Sequence, residues 1–184
     1  VASHLQEMIP TTSGSPDLIN NSKLYLGTNP GDPDYHVNNS LFSSLANGDD
    51  NDNINDEDGL NSTSYDKSCD GTSLAIPSSE INLSNTTGSI AKIHAWIDFD
   101  QNGIFDADEY DVVIVMNGAT NPLSDLTFSL PPGFVIGSKH IRLRLSTDLS
   151  IDRFTPFGPA IDGEVEDFVL TISDPIGCVE VCDN

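Results

Sequence analysis

The stretch IAKIHAWIDFDQNGIFDADE, residues 90–109, carries two patterns end to end. Its first half alternates. Ile93, Ala95, Ile97 and Phe99 fall on one face, and Lys92, His94, Trp96 and Asp98 on the other, which is the period of a β-strand. From Asp98 onward the alternation stops and side-chain oxygens crowd together. A strand that runs straight into an acidic loop sets the expectation for the whole chain: all-β, with long loops ordered by cations.

The flanks repeat the first pattern. Tyr110 to Met116 is a β-branched run, Leu126 to Leu130 a short strand, and Pro131-Pro132-Gly133 a turn. Lys139 to Ser146 alternates, with Ile141, Leu143 and Leu145 facing inward and Arg142 and Arg144 outward. Val165 to Ile172 reads as a last strand, and Leu24–Leu26 and Ser79–Leu83 as short early ones. No amphipathic helix is evident. Short strands separated by turn residues predict an antiparallel β-sandwich, jelly-roll-like. The predicted domain spans 24–173, between an N-terminal lead-in (1–23) and a C-terminal linker with a cysteine pair (174–184).

Residues 98–109 fit the loop pattern D-x-[DN]-x-[DN]-G-x5-E at every specified position. Calcium takes about six to eight hard oxygen ligands at about 2.3–2.6 Å. Asp98, Asp100 and Asn102 would converge as the chain curls, and Gly103 permits the sharp turn. Ile104 would offer its carbonyl, Asp106 a carboxylate or a water bridge, and Glu109 a bidentate carboxylate. An EF-hand has helices on both sides of such a loop. Here strands flank it, so the expectation is a calcium-binding β-turn and not a helix-opening sensor. The alternative is a polar hairpin turn with acidic tips.

A second cluster spans residues 48–59, with Asp49, Asp50, Asp52, Asp56 and Asp58 as candidate calcium ligands. On composition, 28–64 reads as disordered, and bound cations are the cheapest source of order in it. A solvated acidic loop is the other reading. A third group, Glu164, Glu166 and Asp167, enters the last strand. These acids either complete a metal site with another loop or pair with Arg142 or Arg144.

Asp and Glu number 29 against 7 Lys and Arg, a formal net charge of −22. Nucleic acid and anionic membrane surfaces would repel such a chain, and no apolar run is long enough to span a bilayer. The first residues show no signal peptide, so an export signal is expected to be removed or upstream. Cys178 and Cys182 are expected to form a disulfide, or to pair beyond this chain, in an oxidising compartment; Cys69 stays unassigned. His4, His36, His94 and His140 are scattered and form no catalytic signature. Acids held beside a divalent cation stay ionised and make poor general acids. The chain is therefore expected not to be an enzyme.

Four segments together resemble the GEVED domain: Asn47-Gly-Asp-Asp…Asp-Glu-Asp-Gly-Leu60, Ala95-Trp-Ile-Asp-Phe-Asp-Gln-Asn-Gly-Ile-Phe-Asp106, Ile141-Arg-Leu-Arg-Leu-Ser146 and Asp162-Gly-Glu-Val-Glu-Asp-Phe168. The family's usual leading segment is not recognisable. The resemblance implies a non-catalytic module of large secreted or cell-surface bacterial proteins. Two functions follow as expectations. One is a calcium-stabilised structural or adhesive module, meeting other domains or subunits of a surface protein or fibre. The other is a calcium-dependent carbohydrate-binding module, with Tyr35, Tyr65, Trp96, Phe154 and Phe157 as candidate stacking groups for glycans.

Overall fold

The computed structural model describes residues 22–30, 57–158 and 160–178 of the chain. Nine strands run through them: β1 Leu24–Leu26, β2 Ser64–Asp66, β3 Ser73–Ile76, β4 Leu83–Asn85, β5 Ala91–Ile97, β6 Tyr110–Val115, β7 Leu126–Ser129, β8 Gly137–Ser146 and β9 Glu164–Ser173. A 3-10 turn, Ser78–Glu80, follows Pro77. The fold is all-β, and among the described residues no helix is long and apolar enough to cross a membrane.

Five strands form one sheet in the order β2-β9-β8-β5-β6. β8 lies at its centre. It pairs antiparallel with β5 from Lys92↔Ser146 to Ile97↔Ile141, and with β9 from Gly137↔Ile172 to Leu145↔Glu164. β1 pairs with β4, and β3 with β7, in two small antiparallel sheets. One pairing departs from the antiparallel expectation: β2 runs parallel to β9, from Ser64↔Thr171 to Asp66↔Ser173. Parallel neighbours need a long crossover, and here β3 to β8 supply it.

One apolar core joins all three sheets. Ile93, Ala95, Ile97 and Phe99 pack there with Ile141, Leu143 and Leu145, as the alternation predicts. Leu24 and Leu26 of β1, Leu74 and Ile76 of β3, Leu83 of β4, and Leu126 and Phe128 of β7 close it. Burying each Ile or Leu stabilises by about 1.5–3 kcal/mol.

The opposite face of the large sheet corrects the reading of Arg142 and Arg144. They point away from the main core but are 2% and 1% exposed. The segment from Thr147 to Gly158 lies over them. Arg144 donates to the carbonyls of Thr155 (2.6 Å) and Gly158 (2.8 Å), Arg142 to that of Pro156 (3.2 Å), and Trp96 Nε1 to that of Arg153 (3.2 Å). Trp96, Phe105 and Ile151 form a second small core beneath it.

The cysteines also differ from expectation. Cys178 bonds to Cys69, with Cα atoms 5.5 Å apart, so the Cys178–Cys182 pairing does not form. Cys182 lies outside the described residues. The parallel β2–β9 pair is the reason: both chains leave the sheet in the same direction, side by side, and their cysteines meet just beyond it.

Candidate metal centre

β5 and β6 form the hairpin that carries the 98–109 loop, closed at Trp96↔Tyr110 and by Ile97 N donating to Glu109 O at 3.0 Å. The loop turns through positive φ at Gln101 (60°) and Gly103 (81°). Such angles are rare for a residue with a Cβ and easy for glycine. The curl brings one carboxylate oxygen each of Asp98, Asp100 and Glu109 within 4.8 Å of one another. Two oxygens on one calcium lie at most about 5 Å apart, twice the metal–ligand distance. The spacing and the hard-oxygen chemistry therefore fit such an ion.

Backbone N–H groups hold these carboxylates in place. Glu109 Oε1 accepts from Phe99 N (2.7 Å) and Asp100 N (3.3 Å), and Oε2 from Asp106 N (3.3 Å). Asp98 accepts from Asn102 N (3.1 Å) and Gly103 N (3.0 Å). Asn102 turns its amide nitrogen to Asp100 (3.2 Å) and Asp106 (2.9 Å), and its Oδ1 to Ile104 N (2.7 Å). To serve as a ligand it would have to rotate its amide. Of the six predicted positions, three thus gather their oxygens. Asn102 and Asp106 are tied into the same loop, and Ile104 exposes its side chain.

Burial pushes Asp98 upward from its ordinary carboxylate value, and pushes Glu109 up to about 7. The backbone donors pull both the other way. Two buried carboxylates beside a third repel one another, and a cation among them reverses that cost.

Glu164, Glu166 and Asp167 stand elsewhere. Asp98 N bonds to His140 O, whereas Glu164 lies opposite Leu145. Five residues of β8 separate those places, about 17 Å at strand rise. Each acid has its own task. Asp167 grips Arg142 through two bonds, 2.8 and 2.6 Å, which is the pairing alternative. Glu164 accepts from Leu26 N at 2.7 Å. Glu166 accepts from Gly59 N (3.2 and 3.0 Å) and Asp58 N (3.2 Å). Asp58 in turn holds Thr28, through its N–H at 3.1 Å and its hydroxyl at 2.5 Å. So Asp58 is beside Glu166, but no described metal cluster includes either. Asp49, Asp50, Asp52 and Asp56 lie outside the described residues.

The profile of the GEVED domain family matches residues 92–171. Those residues are a GEVED domain. No curated protein and no solved structure matches the chain. Residues 163–167, Gly-Glu-Val-Glu-Asp, read as the family's name in one-letter code and lie inside the matched stretch. In this GEVED domain it is a set of stitches. Gly163 sits at φ 97°, where a Cβ would fall 1.7 Å from Leu145 O, and the three acids tie β9 to β1, to the 58–59 backbone and to β8. Asp162, just before the motif, accepts from Ser146 Oγ and Thr147 N at 2.8 Å each.

Lys139 of the GEVED domain was not singled out by the sequence. Its signal was there: it shares parity with Ile141 on β8. It is buried, donates to Phe99 O at 2.8 Å, and lies over the Phe134 ring at 5.3 Å. Burial lowers its pKa, while Asp98, Asp100 and Glu109 oppose the shift. His94 is an ordinary buried strand residue, 2.7 Å from the Tyr110 hydroxyl, and burial lowers it to about 4. Among the described stacking candidates Trp96 and Tyr65 are buried, Phe157 packs on the second core, and Phe154 is exposed. Tyr35 lies outside the described residues.

Proposed function

We propose that the chain is a non-catalytic, calcium-stabilised structural or adhesive module of a secreted or cell-surface protein, or of an extracellular fibre. The observation that carries this reading is the meeting of Asp98, Asp100 and Glu109 oxygens within 4.8 Å at a hairpin between two strands. A β-sandwich, with the two small sheets facing the large one, is the architecture that the shared core supports. The ion would fix the β5–β6 hairpin that borders this core. The disulfide is compatible with an extracellular setting. Among the described stacking candidates only Phe154 is exposed, so glycan binding ranks second.

Extracellular calcium modules bind with Kd of about 10⁻⁴–10⁻³ M. At 100-fold excess over Kd one site contributes about 2.7 kcal/mol. For a domain of this size that raises Tm by about 5–10 °C. Thermal melts in calcium and in EGTA test the reading. A Tm higher in calcium, with the gain lost in Glu109→Gln, supports it. Superimposable melts in calcium and EGTA would overturn it.

A further inference from the structure

The covalent path of this chain differs from its sequence path. β2 ends at Asp66 beside Ser173, the last residue of β9, and the two strands run parallel. Beyond them Lys67 N donates to Ser173 O at 3.0 Å, and Lys67 Nζ pairs with Asp174 at 3.0 Å. Cys69 and Cys178 then join, across a sequence separation of 109. The loop so closed contains β3 to β9, the 98–109 metal loop and the Gly163–Asp167 motif. Only β1 and β2 among the described strands lie outside it.

We propose that the Cys69–Cys178 disulfide is a mechanical bypass. Tension entering before Cys69 and leaving after Cys178 crosses the S–S bond. Once β1 and β2 have detached, it does not pass along the backbone of β3 to β9. The GEVED domain therefore stays folded under a pull that extends the rest of the chain. What extends instead is the N-terminal part, where β1 peels from β4 and β2 shears from β9. The stitches from Glu164 to Leu26 and from Glu166 to Gly59 resist that step, since they tie this outer part to the start of β9. The bypass rests on chain connectivity alone and holds whether or not the loop takes calcium.

Single-molecule stretching of the 184-residue chain between folded handles tests this. The locked segment of 109 residues corresponds to about 370 Å of contour length. Oxidised molecules should lack that length on full extension. The same molecules should gain it after dithiothreitol reduces the bond. Cys182→Ser should keep the short extension, and Cys69→Ser should show the long one without reductant. If Cys69→Ser fails to fold, reduction of the already folded wild-type chain decides alone. Equal contour lengths before and after reduction would overturn the proposal. So would peptide mapping that links Cys178 to Cys182.

Discussion

Arg142 is one of only seven Lys and Arg residues set against 29 acids, yet it sits inside the protein. Its guanidinium grips Asp167, caps the Pro156 carbonyl, and lies 5.6 and 5.0 Å from the ring centroids of Phe105 and Phe157, which pack against each other. Removing one partner of a buried pair strands the other charge, at a cost of about 3–5 kcal/mol. Arg142→Met should lower unfolding stability by that amount in a urea titration, and adding Asp167→Leu should recover most of it. An unchanged midpoint in Arg142→Met would contradict the pairing. The sequence made the side of Arg142 legible, because alternation fixes parity. Its burial was not legible, because the cover comes from the 147–158 segment, which has no periodicity.

At the scale of the element, β9 shows why the acidic motif was ambiguous. Glu164 and Glu166 share the face of Phe168, Leu170 and Ile172, so they enter the core side of the sheet. Their partners are backbone N–H groups far away in sequence, and no spacing rule announces such contacts. Burial, and then the neighbouring Glu164 charge, push Glu166 from 4.5 up to about 9. A carboxyl raised in the folded state binds its proton more tightly than in the unfolded chain. Its contribution to stability is therefore full below about 4.5 and is lost as pH rises towards about 9. In EGTA, the urea midpoint should fall between pH 5 and pH 8.5, and the fall should be smaller in Glu166→Gln. The same slope in both proteins would contradict the assignment. The strands β5, β6, β7, β8 and β9 were legible from alternation and β-branched runs. β2 and β3 were not: Ser64-Tyr-Asp66 is too short and polar to show a period, and tertiary pairing with β9 makes it a strand.

For the molecule as a whole, two devices constrain the chain: one covalent, between residues distant in sequence, and one local and proposed to be ionic. Closing a loop of 109 residues removes unfolded-state entropy worth about 4–5 kcal/mol. Reduction by a phosphine should lower Tm accordingly, and an unaltered Tm would show that Cys69 and Cys178 contribute no such constraint. The pairing escaped the sequence because Cys178 and Cys182 look like neighbours, while the parallel strands that join Cys69 to Cys178 are visible only in three dimensions. The acidic 98–109 loop was the reverse case. Its spacing was legible residue by residue, since all its candidate ligands lie within twelve consecutive positions. The most direct test is equilibrium dialysis against calcium at several times the expected Kd, counting bound ions per chain. The double variant Asp98→Asn/Glu109→Gln should hold one calcium fewer than the wild type. Equal calcium content in the two proteins would contradict the account.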